Sequence, residues 1–80
     1  MNQIEIEVYN YYKKLYAPLI IFFRVGELYK AFKDDSCVVA SALNLPVEND
    51  SVSLEAGVIL DVVGELAGLG FQAKIIEFRG

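Results

Sequence analysis

Leu19-Ile20-Ile21-Phe22-Phe23-Arg24-Val25-Gly26-Glu27-Leu28-Tyr29-Lys30-Ala31-Phe32 is the stretch from which the rest of the chain can be placed. Leu19 to Phe23 is an unbroken apolar run after Pro18, carrying two aromatics and two β-branched residues, which is the composition of a strand covered on both faces. It predicts the central strand of a sheet. Gly26 interrupts the run, and the residues beyond it alternate, with Leu28, Lys30 and Phe32 on one side and Glu27, Tyr29 and Ala31 on the other. A tight glycine turn joining two strands follows.

Working outward toward the start, Asn2 with Glu5 has the form of a capping box, so a helix is expected almost at once. Ile4, Val8, Tyr11 and Leu15 fall on one helical face and are expected to pack on the sheet, while Glu5, Glu7, Asn10, Lys13 and Lys14 fill much of the remainder. Tyr9, Tyr12 and Tyr16 form a second stripe beside the first. That stripe reads either as the rim of a core or as a candidate partner interface. Pro18 ends the helix.

Toward the other end, Asp34 or Asp35 can cap a second helix with Val39, Ala40 and Leu43 as its apolar face, stopped by Asn44 and Pro46. Cys37 is expected to be a small packed residue of that helix. The stretch from Asn44 to Val47 leaves room for a short strand, and Val47 to Asp50 reads as an exposed loop. Ser51 to Ala56 alternates with period two, as a strand with one wet face does. Ile59, Val62, Val63, Leu66 and Leu69 then mark a third helix, closed by Gly70. Gly64 and Gly68 within it predict a close approach to a neighbouring element. A final strand covers Phe71 to Phe78. The fold class is therefore α+β: a small mixed β-sheet flanked by about three helices, in a single domain over residues 1–80.

Composition bounds what such a domain can do. It is 55% hydrophobic and 22% charged, too apolar for a disordered tail, and one cysteine forms no internal disulfide framework. Asp61, Glu65 and Arg24 interrupt every run that approaches a membrane span, and the first residues lack the pattern of a signal peptide, so the expected place is the cytoplasm. A net charge of −4 disfavours unspecific attraction to phosphate backbones. No histidine, Cys-x-x-Cys, HExxH, Gly-x-Ser-x-Gly or phosphate-cradling loop occurs, and no enzyme activity, metal site, cofactor or small-molecule substrate is expected.

Phe22-Phe23-Arg24-Val25-Gly26-Glu27-Leu28-Tyr29-Lys30-Ala31-Phe32 resembles the Phe-Tyr-Arg-Met-Gly-Asp-Phe-Tyr-Glu-Leu-Phe segment of the DNA mismatch-repair protein MutS, in its N-terminal domain I. Phe22, Arg24, Gly26, Tyr29 and Phe32 match directly, and the later elements follow in the same order. The resemblance implies a small mixed sheet with flanking helices and double-stranded DNA, weakly held, as a partner. In the family a Phe-x-Glu pair stacks on and hydrogen-bonds a mispaired base; here those positions are Leu28 and Lys30. Leucine can wedge between base steps but has no π-face, and an ammonium donates where a carboxylate accepts.

Two functions follow as expectations. One is non-catalytic contact with DNA in mismatch repair, using Leu28 as wedge and Arg24, Lys30 and Lys33 as backbone contacts. The alternative keeps the fold but has lost mismatch recognition, serving as a protein-interaction or self-association module through Tyr9, Tyr12 and Tyr16.

Overall fold

The apolar run after Pro18 becomes a strand with no wet face. In the computed structural model, which describes residues 3–77, β1 (Ile20–Val25) buries its first four residues and exposes its last two. It pairs antiparallel with β2 (Leu28–Phe32), which pairs antiparallel with β3 (Ser51–Glu55), while β4 (Ala73–Glu77) runs parallel to β1 on its other side. The four-stranded sheet has the order β3-β2-β1-β4 and is mixed, as the sequence predicts. Three helices cover it: α1 (Gln3–Tyr16), α2 (Lys33–Leu43) and α3 (Ile59–Gly68), the last entered through a 3-10 turn at Ala56–Val58. Asn2 and Phe78 lie outside the described residues, and with them the capping box and the end of the last strand.

Strand alternation divides the core in two. Ile20, Phe22, Tyr29, Ala31, Val52 and Leu54 face Val39 of α2 and Ile59, Val62 and Leu66 of α3. On the opposite face Ile21, Phe23, Phe32 and Ile76 meet α1. β3 alternates as expected, with Val52 and Leu54 buried and Ser53 and Glu55 exposed.

The face of α1 that meets the sheet is mainly the other one, and of the expected four only Val8 packs on the core. Ile4, Tyr11 and Leu15, expected inside, are 71%, 61% and 57% exposed, whereas Tyr9 is buried at 4% with Tyr12 and Tyr16 packed beside it. The tyrosine rings suit a sheet face that is itself aromatic: Tyr9 stands 6.4 Å from Phe23 and 6.5 Å from Phe32, and Tyr12 stands 5.7 Å from Phe23. The same rotation points Lys13 at Asp35, with Nζ 2.7 Å from Oδ1. Tyr9 therefore lines the core, and the exposed apolar stripe is Ile4, Tyr11 and Leu15.

Neither aspartate caps α2. The helix follows Phe32 without a side-chain cap, Lys33 takes a positive φ of 51°, and the buried Asp35 accepts the Ile21 backbone N–H at 3.2 Å instead. Asn44, at φ 56°, ends the helix in the left-handed conformation that asparagine tolerates. No strand forms over 44–47; Glu48 and Ser51 pair across Asn49 and Asp50, whose φ values of 51° and 59° both fit a two-residue hairpin turn.

α3 closes as the sequence predicts. Gly70 has φ 94°, its N–H reaches Ala67 O at 3.0 Å and the Phe71 N–H reaches Leu66 O at 2.8 Å, which together make a Schellman cap. Three expectations are corrected here. Gly64 and Gly68 are exposed, with nothing within 4 Å of where a Cβ would stand, so they mark no close approach. Leu69 lies past the helix and is 57% exposed. Cys37 is exposed rather than packed, because the buried face of α2 runs through Asp35, Ser36 and Val39.

Candidate nucleic-acid interface

The hairpin between β1 and β2 is closed by the pair Val25 and Leu28 around the loop Gly26-Glu27. Gly26 takes a φ of 63°, and a two-residue loop with glycine first follows the twist of its strands. Leu28 is the first residue after that loop and Lys30 lies two residues on, so both side chains stand on the α1 face of the sheet. The rings of α1 pack on Phe23 and Phe32, and no residue of β3 belongs to that cluster. Lys30 is thus flanked by Phe23 on one side and the exposed Ser53 on the other. Leu28 and Lys30 are both half-buried, and Lys30 has no ion pair among the described residues.

Arg24 is not part of this surface. Its side chain lies on the opposite face of the sheet, with the guanidinium carbon 5.7 Å from the centre of the Tyr29 ring and Nη1 3.4 Å from Glu77 Oε1. Its Nε also donates to Gly26 O at 3.2 Å, so the side chain braces the turn. The Tyr29 hydroxyl donates to the same Glu77 oxygen at 2.8 Å, and this hydrogen bond, with burial, raises its pKa above the ordinary value. Arg24 is in turn held above the usual arginine value, first by its electrostatic coupling to Tyr29 and then by the hydrogen bond to Glu77.

Lys33 lies at the other end of β2, roughly 16 Å from Leu28 at the rise of an extended strand. The structure therefore brings Leu28 and Lys30 together, sets Lys33 apart and turns Arg24 away. Sequence reasoning missed two carboxylates. Glu55 faces Leu28 directly across the β2–β3 pair, and Glu77 reaches Arg24 across the β1–β4 pair. Only the strand register places them, and no local motif could.

A groove of about 370 Å³ opens between α1 and the sheet beside this hairpin, lined mainly by Ile4, Val8, Phe23, Val25 and Phe32. Its lining is mostly apolar, with Glu5 and Arg24 the charged residues that border it. Among the described residues no group of three or more His, Cys, Asp or Glu side chains could hold a metal ion. No helix among them is long and apolar enough to cross a membrane.

Comparison with known families fits this geometry. The family model described as MutS domain I matches residues 5–63, from α1 through the hairpin into α3. The chain belongs to the MutS domain I family. It is also 31% identical, over 77 residues covering 85% of its length, to the DNA mismatch repair protein MutS of Sorangium cellulosum (strain So ce56). The chain spans 8% of that relative's length. Membership agrees with the α+β architecture of the four-stranded sheet and its helices.

Proposed function

We propose that this domain is a non-catalytic module that contacts duplex DNA in mismatch repair, presenting the β1–β2 hairpin to the minor groove. The observation that carries the reading is the placement of Leu28 and Lys30: adjacent on one face, directly after a rigid glycine turn, with the Lys30 ammonium unpaired among the described residues. Leu28 acts as an apolar wedge that partly unstacks a base step. Lys30 donates to a phosphate or to a minor-groove acceptor such as thymine O2. Lys33 supplies a second phosphate contact further along the duplex. Arg24 does not touch DNA; it holds the turn in shape through Gly26 and Glu77.

Two cations neutralise about two phosphates, so log K falls with log salt with a slope of about −2, and the net charge of −4 keeps affinity low. A salt titration of duplex binding by the protein and by Lys30→Ala tests this reading. Loss of about one unit of slope supports it, and an unchanged slope with unchanged affinity refutes it.

A further inference from the structure

The outward face of α1 carries an apolar pattern of which its own core uses only Val8. Ile4, Val8, Tyr11 and Leu15 recur at spacings of four, three and four residues, the spacing of a coiled-coil seam. Val8 is half-buried at the edge of the groove, while Ile4, Tyr11 and Leu15 are 71%, 61% and 57% exposed. Val25, 46% exposed across the groove from Ile4, extends the apolar surface onto the sheet. Tyrosine, isoleucine and leucine so exposed along one stripe of a single helix form a contiguous patch, the kind that marks an interface.

Charge states what covers it. Glu7 and Lys14 lie one heptad apart, both exposed and both on the same flank of the seam. In an antiparallel pair of helices that flank meets its own copy, so each Glu7 falls beside the other chain's Lys14. A parallel copy would set Glu7 against Tyr12, with no charge to meet it. We infer that the stripe of Ile4, Val8, Tyr11 and Leu15 joins two copies of this chain as an antiparallel, twofold-symmetric pair of α1 helices. The interface is isologous: the same residues serve on both sides and the assembly closes as a dimer. Tyr9, Tyr12 and Tyr16 stay with their own sheet. The 14-residue helix that carries the seam is about 21 Å long, so the dimer is weak and concentration-dependent.

This inference is independent of DNA contact, and its test uses the full chain in the absence of nucleic acid. Sedimentation velocity over a micromolar to millimolar series should show the mass rising from one chain of 8.9 kDa toward two. Leu15→Glu, at an exposed position that leaves the fold intact, should raise the dissociation constant at least about tenfold. Lys14→Glu should weaken the dimer severalfold, with added salt relieving part of the loss by screening the new repulsion, and the double exchange Glu7→Lys with Lys14→Glu should restore it. A protein that stays monomeric throughout the series overturns the inference, whatever other partner the stripe then takes. So does association that Leu15→Glu leaves unchanged, or a double exchange that fails to restore what Lys14→Glu lost.

Discussion

Lys13 and Asp35 form a partly buried ion pair that ties three elements together, with Nζ 2.7 Å from Oδ1 and the aspartate side chain only 5% exposed. Lys13 also donates to Leu19 O at 2.7 Å, and the second Asp35 oxygen accepts the Ile21 N–H at 3.2 Å. The end of α1, the start of β1 and the first turn of α2 are thereby fixed to one point. Removing one partner of such a pair leaves a buried charge and an orphaned donor.

Asp35→Ala should therefore destabilise the fold by about 3 kcal/mol, read from urea denaturation. Asp35→Asn should cost less, because its amide oxygen can keep the Ile21 N–H. Equal losses for the two variants would assign the effect to the ion pair alone.

Tyr9 titrates late. Burial first, and then the negative charge of Asp35, push its hydroxyl well above the ordinary tyrosine range. A raised folded-state value means that the folded chain holds this proton more tightly than the unfolded chain. The contribution to stability is complete below about pH 10, the unfolded value, and is lost as pH rises toward the folded value. Stability measured across that alkaline window should fall, and Tyr9→Phe should flatten the fall. An identical slope in the variant would remove Tyr9 from the account.

Gly64 and Gly68 should be improvable. Both sit at exposed positions of α3 with open space where a Cβ would stand and with no positive φ. Alanine at Gly64 should raise stability by about 0.5–1 kcal/mol, with a smaller gain at the terminal Gly68. Gly70→Ala should lower it, because φ 94° is strained for any L side chain. Thermal melts of the three variants check the signs.

Much of this was legible in residues 19–32. The continuous run predicts a strand without a wet face, Gly26 predicts the turn, and the alternation after it predicts which of Leu28, Lys30 and Phe32 share a side; β1 and β2 agree. What was not legible depends on partners distant in sequence. α1 has two apolar stripes of comparable weight, and periodicity alone cannot rank them. The choice falls to the aromatic sheet face it meets and to Asp35, 22 residues from Lys13. Asp35 was read as a cap for the same reason, since its true partners lie on other elements. Arg24 shows the limit at the site: its sequence neighbourhood groups it with Lys30, but strand alternation and the β1–β4 register turn it toward Glu77.

Arg24 and Lys30 should accordingly differ in their effects on duplex binding. Lys30→Ala should reduce affinity severalfold, whereas Arg24→Ala, which loosens the turn but removes no DNA contact, should reduce it less. Fluorescence anisotropy of labelled duplex at low salt separates them, and a larger loss for Arg24→Ala would place the contact surface on the other face.

The central claim is that the hairpin meets DNA with Leu28 as its wedge. Its most direct test is anisotropy of matched and single-mismatch duplexes titrated with the protein and with Leu28→Ala, at low and then physiological salt. A mismatched step is already weakly stacked and should be cheaper to open. The account predicts salt-sensitive binding to both duplexes, tighter on the mismatch, with the preference lost in Leu28→Ala. No binding at low salt, or a mismatch preference that survives Leu28→Ala, would contradict it.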